Sequence, residues 1–213
     1  MHTHSLTPAT YDRCLRDATA LLLAGGVAVI PTDTVYGLAA HPAQPAAVQR
    51  LYTIKGRLEA KPIALLAADT AAVIRFGGQL APAACRLAAA CWPGALTLVL
   101  PCGQGPDEGF RVPAHDWTRA LLAACGGVLR VTSANLSGAL PAASAVAALQ
   151  DVGLAADLVI DDGTSPGGVA SSVVRLTALA PTPTILRAGA IPAERILAIS
   201  AAPPAPPAPH PTT

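Results

Sequence analysis

Two polar segments follow strands that the sequence predicts to be buried, and both carry side chains suited to binding a ligand. Residues 32–36 follow the apolar run 27–30, which Pro31 ends because proline cannot donate to a sheet ladder. Residues 133–138 follow the predicted strand 128–132. Because ligands of open α/β sheets bind beyond the carboxyl ends of strands, these segments predict a binding site. Taken alone, each segment is also typical of a polar turn with capping residues.

The basic residues include an unusual pair. Of the 14 lysines and arginines, only Lys55 and Lys61 are lysine, and Arg57 lies between them. An ammonium at 55 and a planar guanidinium at 57 are both suited to binding phosphate oxygens. A solvated pair of surface charges is the alternative interpretation.

The composition argues against several classes of protein. The chain has 213 residues, 52% of them hydrophobic, and its net charge of +1 does not indicate a nucleic-acid binder. No apolar stretch reaches the roughly 18 residues of a membrane span, and no signal peptide is evident. We therefore expect a cytoplasmic protein without a membrane partner. Five cysteines without a Cys-x-x-Cys pair argue against disulfides and a zinc site.

Periodicity and capping signals predict helices and strands that alternate along most of the chain, which indicates an α/β fold. A short connection with two prolines between the last two strands favours an antiparallel pair and hence a mixed sheet. We predict a folded domain over residues 1–200 and a disordered Pro/Ala-rich tail over residues 201–213. The predicted helices begin near residues 8, 45, 70, 82, 116, 144 and 192, and the predicted strands are 27–30, 63–67, 95–100, 110–112, 128–132, 158–160, 171–176 and 184–186.

Several short motifs occur together in an order that is more specific than any one of them. In this combination they resemble the YrdC/Sua5 family, over about residues 11 to 197. The chain departs from the usual family pattern at Leu58, at 170–172 and at Ala188, beside the matched side chains. It is most similar to the short family members, which lack an additional C-terminal domain. The motifs are residues 31–38, 55–57, 111–115, 133–138, 171–174 and 187–189.

The resemblance implies a single YrdC-like domain, in which helices flank a twisted mixed sheet with a concave ligand pocket. It implies a nucleotidyltransferase that makes L-threonylcarbamoyladenylate and pyrophosphate from L-threonine, bicarbonate and ATP, for the t6A modification of adenosine 37 in tRNA. Lys55 and Arg57 would be the catalytic residues. The resemblance assigns ATP binding to Lys55, Arg57, Arg111, Asn135 and Arg187, and threonine binding to Thr32, His115, Ser133 and Ser171.

The resemblance also implies partners. Mg²⁺ would arrive with ATP, held mainly by phosphates and water. No protein metal site is predicted, because no second histidine or cysteine lies at ligand spacing from His115. The labile product would pass to a tRNA threonylcarbamoyl-transferase complex, and direct RNA contact is left open.

Other interpretations stay open at this point. Each assigned side chain has an ordinary structural alternative, a salt bridge for the arginines and turn capping for the hydroxyl and amide groups. A second enzyme function is a carbamoyl-adenylate-forming carbamoyltransferase of the hydrogenase-maturation type, against which the chain length and the lack of Cys-x-x-Cys pairs argue. A double-stranded RNA-binding module is disfavoured by the low net charge. An inactive homologue that acts only as a partner protein is the remaining alternative.

Overall fold

The computed structural model describes residues 2–56, 62–177 and 180–202. Arg57, Leu58 and Lys61 lie outside the described residues, and so does the predicted tail from residue 203 onward. The role of Arg57 and the predicted boundary between domain and tail therefore stay predictions.

The described ranges contain seven α-helices, each beginning within a few residues of its predicted start. Asp69 and Ser144 act as N-caps, since their side chains accept hydrogen bonds from the backbone N–H groups of Ala72 and Ala147. The longest helix has 13 residues, which is too short to span a bilayer. The helices are α1 Tyr11–Leu23, α2 Pro45–Lys55, α3 Thr70–Phe76, α4 Pro82–Cys91, α5 Asp116–Ala124, α6 Ala145–Asp151 and α7 Ala193–Ala201.

The strands of the described ranges form one sheet, and it is mixed, as predicted. Its order is β1-β8-β2-β3-β7-β4-β6-β5-β9-β10. The last two strands pair antiparallel, which confirms the prediction from their short connection. The strands are β1 His2–Ser5, β2 Ala28–Ile30, β3 Gly37–Ala40, β4 Leu65–Ala67, β5 Leu96–Leu100, β6 Glu108–Arg111, β7 Val128–Ser133, β8 Leu158–Asp161, β9 Ser172–Thr177 and β10 Ala180–Arg187.

Two of these strands were not predicted. No strand was predicted after the polar segment 32–36, yet β3 forms there and pairs with β2 and β7 inside the sheet. β1 is polar and shows no apolar alternation, but it pairs in parallel with β8 at one edge. Both strands form because a distant strand offers backbone partners, and no local pattern reports such a partner.

The first helix begins later than predicted. Thr7 and Pro8 suggest a cap and a first helical position, but α1 starts at Tyr11. The hydroxyl of Thr10 instead accepts a hydrogen bond from the backbone N–H of Thr7 at 2.9 Å, and a short turn precedes the helix. The prolines that do begin helices, Pro45 and Pro82, lie in the first turn of α2 and α4.

Helices pack on both faces of the sheet. On one face, α1 and α5 cover the central strands, with Leu22 and Leu121 packed in one cluster with Leu129 of β7. On the opposite face, α2 and α6 cover β2, β3 and β8. Farther along that opposite face, α4 and α7 bury Leu87 and Ile196 against β5, β6 and β9. Over β5, β6 and β9, the sheet face that carries α1 and α5 forms a cavity.

One ion pair ties α2 to the start of β8. Arg50 donates to Asp157 through both terminal nitrogens, at 2.8 and 3.0 Å, and the backbone N–H of Val27 donates to the same carboxylate at 2.8 Å. The hydrogen bonds from Arg50 lower the pKa of Asp157 below its ordinary value of 3.8. A carboxylate with a depressed pKa stabilises the fold above its unfolded pKa and loses that contribution as the pH falls.

We therefore expect Asp157→Asn to destabilise the protein at pH 7 by up to about 1 kcal/mol, since both side chains are partly exposed. The difference from the unsubstituted protein should begin to shrink as the pH falls below about 4, the pKa of an unfolded aspartate, and should be lost once the pH falls below the lowered pKa of the folded-state carboxylate. Urea denaturation at several pH values measures this. A difference that stays constant from pH 7 to pH 3 would contradict the charge-based account.

Candidate active site

A cavity of about 360 Å³ opens on the sheet face that also carries α1 and α5. Its lining comes from the 31–37 turn and from β4 to β7, β9 and β10, so distant parts of the sequence meet there. Among the predicted site residues that line it are Thr32, Arg111, Ser133, Ser171 and Arg187.

The two-residue period of strands explains how the same strands build both a core and a cavity. In the register of β5, β6 and β9, Leu98 pairs with Phe110 and Val174, and these three side chains are buried in the core under α4 and α7. The adjacent position, Val99, pairs with Gly109 and Arg175, which line the cavity. Each strand therefore presents alternate residues to apolar packing and to a ligand.

Small residues give the cavity its depth. A Cβ on Gly109 would lie 3.3 Å from the Cβ of Ala64, and one on Gly37 would lie 2.5 Å from a methyl group of Val131. Gly37 therefore cannot accept a side chain without displacing its neighbour. Gly37, the glycine of the 31–38 motif, thus leaves space for the cavity beside β7.

Hydrogen bonds within the 31–37 turn hold its threonines in place. The hydroxyl of Thr32 donates to the carbonyl of Val35 at 2.7 Å and accepts from the backbone N–H groups of Thr34 and Val35, at 3.2 and 3.3 Å. Thr32 is buried, with 3% of its surface exposed. The turn therefore places fixed hydroxyl groups at the cavity wall, as the capping alternative and the binding prediction both require.

A loop from β8 packs against this turn. The hydroxyl of Tyr36 donates to the carbonyl of Gly163 at 2.8 Å and accepts from the backbone N–H of Asp162 at 3.0 Å. Gly167 lies so close to the turn that a Cβ would be 2.6 Å from the carbonyl oxygen of Asp33. Burial raises the pKa of Tyr36 to about 12, so its hydroxyl stays protonated and can keep donating.

Arg111 is the buried cation of the site. Its guanidinium donates to Asp33, to the hydroxyl of Thr34 at 2.8 Å and to the carbonyl of Gly94 at 2.9 Å. Burial lowers its pKa, the Asp33 carboxylate acts in the opposite direction, and the nearby charge of Arg187 lowers it further. An arginine nevertheless stays protonated in proteins. Arg111 therefore joins β6 to the 31–37 turn and brings a positive charge to the cavity wall.

Arg187 and Ser171 come together at the opposite side of the cavity. Arg187 donates to the carbonyl of Ser171 through Nε at 3.1 Å and through a terminal nitrogen at 2.7 Å. The hydroxyl of Ser171 lies 2.8 Å from that of Thr97. A Cβ on Gly189 would lie 2.5 Å from the backbone of Ser171, so only glycine permits this approach. That constraint explains the Arg187-Ala-Gly189 motif.

Lys55 is buried at the end of α2, with 4% of its surface exposed. Its ammonium donates to the carbonyl oxygens of Ser133 and Asn135, at 2.6 and 2.7 Å. It also lies 3.4 Å from the side-chain oxygens of both residues. The structure therefore excludes the surface-charge alternative for Lys55, because this ammonium organises the 133–138 segment from behind the cavity wall.

Asn135 completes that segment. Its amide nitrogen donates to the carbonyls of Leu136 and Ala139, at 3.0 and 2.8 Å. It is buried and does not belong to the lining of the cavity, although it adjoins Ser133, which does. Asn135 thus stabilises the turn, as the structural alternative predicts, and its contact with ATP stays a prediction.

The structure places His115 apart from the other predicted residues. Its Nδ1 accepts from the backbone N–H of Thr118 at 3.2 Å, which makes it the N-cap of α5. Its Nε2 lies 3.0 Å from a carboxylate oxygen of Asp162. His115 lines a separate shallow depression with Tyr11 and Trp117, and it is absent from the described lining of the main cavity. In this structure His115 therefore lies apart from Thr32, because capping α5 turns the ring toward Asp162, and its contact with threonine stays a prediction.

Three further lining residues, Thr97, Asp107 and Arg175, were not among the predicted site residues. Arg175 could have been found, since it follows Ser171 by four residues on the same strand face. Of the charged side chains in the described lining, three are arginines and one, Asp107, is a carboxylate. The cavity is therefore suited to an anionic ligand.

The buried ion pair predicts a large difference between two aspartates. Asp33→Asn would leave the Arg111 charge buried without its counter-ion, so we expect a loss of about 3 kcal/mol in the free energy of unfolding. Asp162→Asn is the matched control, because its side chain is 40% exposed and should cost less than about 1 kcal/mol. Denaturant titration of both variants measures this. Equal losses would contradict the structural role assigned to the Asp33–Arg111 pair.

Comparison with known proteins identifies relatives over most of the chain. The family model of the Sua5, YciO and YrdC proteins, described as telomere recombination, matches residues 20–189. The chain is 34% identical over 203 residues to the threonylcarbamoyl-AMP synthase of Bacillus subtilis, covering 90% of this chain and 58% of that protein. It is 38% identical over 146 residues to the threonylcarbamoyl-AMP synthase of Halorhodospira halophila, covering 64% of this chain and 76% of that protein.

A solved structure agrees with these matches. The crystal structure of Pyrococcus abyssi Sua5 complexed with L-threonine superposes with a TM-score of 0.84 at 29% identity, covering 93% of this chain and 60% of that one. The chain thus spans about three fifths of the B. subtilis and P. abyssi proteins. The fold, the order of the motifs and the extent of the matches agree, and the chain belongs to the Sua5/YciO/YrdC family.

Proposed function

We propose that this protein is an L-threonylcarbamoyladenylate synthase, a nucleotidyltransferase that uses L-threonine, bicarbonate and ATP. The observation that carries the proposal is the cavity, where fixed hydroxyl groups and three arginines from separate strands line one concave surface. The names of the B. subtilis and H. halophila relatives and the threonine in the P. abyssi complex support the same reaction.

The reaction suits such a surface. The amine of threonine adds to bicarbonate with loss of water and gives an N-carboxylate. An oxygen of that carboxylate then attacks the α-phosphorus of ATP, the bond to the bridging oxygen breaks, and pyrophosphate leaves. Two anions must approach each other, so catalysis consists mainly of positioning and of stabilising negative charge.

Different side chains of the site would position the substrates and stabilise negative charge. Arg111 and Arg187 border the cavity and are held by protein acceptors, so they offer positive charge without reorganising. Thr32, Ser133 and Ser171 supply hydroxyl groups at the wall for the amino acid. Lys55 acts through the 133–138 segment that it holds, and Asn135 of that segment would contact the nucleotide.

Mg²⁺ belongs to this proposal as the partner of the ATP phosphates. The one carboxylate in the described lining is Asp107, so the metal would be held mainly by phosphate oxygens and water. The labile product would pass to a tRNA threonylcarbamoyl-transferase complex, in the cytoplasm, for t6A formation.

Pyrophosphate release with ATP, Mg²⁺ and bicarbonate, with and without L-threonine, tests the proposal. We expect release that depends on threonine, and a nucleotide product with the mass of threonylcarbamoyladenylate. Folded protein that binds ATP but gives neither would overturn the proposal. A product from carbamoyl phosphate instead of threonine would indicate a carbamoyltransferase.

Substitution of Lys55 separates its structural and catalytic effects. In Lys55→Met, the carbonyls of Ser133 and Asn135 lose their shared donor, so we expect destabilisation by about 1–3 kcal/mol. We also expect at least about a hundredfold lower turnover at a temperature where the variant is folded, because the 133–138 segment loses its position. Turnover within twofold of the unsubstituted enzyme would contradict this role.

The separate position of His115 predicts a contrast in threonine binding. His115→Asn preserves an N-cap residue, so we expect a KM for L-threonine within about twofold of the unsubstituted value. Thr32→Val removes the hydroxyl that organises the cavity wall and should raise this KM about tenfold or more. Steady-state kinetics measures both. A larger effect from His115→Asn would place His115 at the substrate after all.

A further inference from the structure

Arg175 of β9 lies on the cavity face, in the row that also contains Val99 and Gly109. Its side chain is 48% exposed, and its Nε lies 3.7 Å from a carboxylate oxygen of Asp107. Asp107 is itself 37% exposed and lines the same cavity. This distance is longer than an ordinary hydrogen bond, so the two side chains form a loose ion pair at the wall of the cavity.

The other two arginines of the lining are held more firmly. Arg111 is 8% exposed and makes hydrogen bonds to Asp33, Thr34 and Gly94. Arg187 donates to the carbonyl of Ser171 at 2.7 Å. Of the three cavity arginines, Arg175 therefore has the weakest contacts among those described, and it can move toward a ligand at the smallest cost.

The backbone next to Asp107 is fixed. The neighbouring Glu108 accepts two hydrogen bonds of 2.6 Å from Arg130, and Arg130 also donates to the carbonyl of Ile63 at 2.8 Å. The carboxylate of Glu108 is therefore occupied by Arg130. The neighbouring carboxylate, Asp107, is the one that lies near Arg175. The start of β6 is thus held in place, and Asp107 lies at the cavity as the counter-ion of Arg175 when no ligand is bound.

The Asp107–Arg175 and Asp33–Arg111 ion pairs differ in how much free energy their separation costs. An exposed pair contributes little to stability, so an incoming anion can replace Asp107 as the partner of Arg175. Separating the buried pair of Asp33 and Arg111 would instead leave an uncompensated charge in the protein interior. One loosely paired and one firmly held arginine therefore border the same cavity.

We propose that Arg175 binds the polyphosphate of the nucleotide, and that Asp107 is the counter-ion which the polyphosphate displaces. The identity of the anion rests on the proposed function, in which ATP enters and pyrophosphate leaves. Arg175 takes up phosphate oxygens by charge-assisted hydrogen bonds, and Asp107 re-forms the ion pair when the anion departs. Asp107 therefore weakens polyphosphate binding and favours release.

Calorimetric titration of the full chain with inorganic pyrophosphate and Mg²⁺ tests this directly. We expect Arg175→Gln to weaken binding about tenfold or more, which is the loss of one charge-assisted contact. Asp107→Asn should tighten binding about threefold, because Arg175 no longer has a competing partner. The double variant should bind like Arg175→Gln alone. Arg13→Gln, on the exposed side of α1, is the matched control and should bind like the unsubstituted protein.

Each other outcome overturns the proposal. Unchanged binding by Arg175→Gln, or no pyrophosphate binding by the unsubstituted protein, excludes Arg175 as a polyphosphate ligand. Tightening by Asp107→Asn that persists in the Arg175→Gln background would show that Asp107 acts by simple repulsion. The proposed function fails separately: pyrophosphate binding that depends on Arg175, without any threonylcarbamoyladenylate, would leave the anion site intact and remove the reaction.

Discussion

The buried ion pair between Asp33 and Arg111 is the interaction on which the arrangement of the site depends. Asp33 lies in the turn between β2 and β3, whereas Arg111 ends β6, which is separated from β3 by β7 and β4 in the sheet. Neither charge is tolerable alone in that environment, so each requires the other to be in place. The pair thereby draws the turn over the sheet face and gives the cavity one of its walls.

The sheet serves two purposes because its residues alternate between its faces. Leu98, Phe110 and Val174 complete an apolar core with α4 and α7, and the positions between them form the cavity floor. A core position and a ligand-facing position are thus adjacent in the chain. The rigidity that the core gives to these strands is passed directly to the residues that face the ligand, which is what preorganised electrostatic catalysis requires.

The basic groups of the site differ in what holds them. Lys55 is satisfied by backbone carbonyls and shapes a loop, and Arg111 is neutralised by a buried carboxylate. Among the described residues, Arg175 is paired loosely with Asp107 at the cavity wall. In the reaction proposed for this cavity, which brings anions together, fixed charges would lower the barrier, and a loosely held charge could follow a phosphate that enters and leaves.

The amino-acid sequence predicts the family, the α/β class and most helices and strands, because caps, prolines, glycine pairs and apolar periodicity are local signals. It also indicated Thr32, Arg111, Ser133, Ser171 and Arg187, which the fold brings to one cavity. The other features follow from how distant segments of the chain pack together. The packing of the chain placed His115 beside Asp162, added β1 and β3 to the sheet, and brought Arg175 to the cavity. These features depend on partners tens of residues away, and a local pattern carries no information about which strands become neighbours.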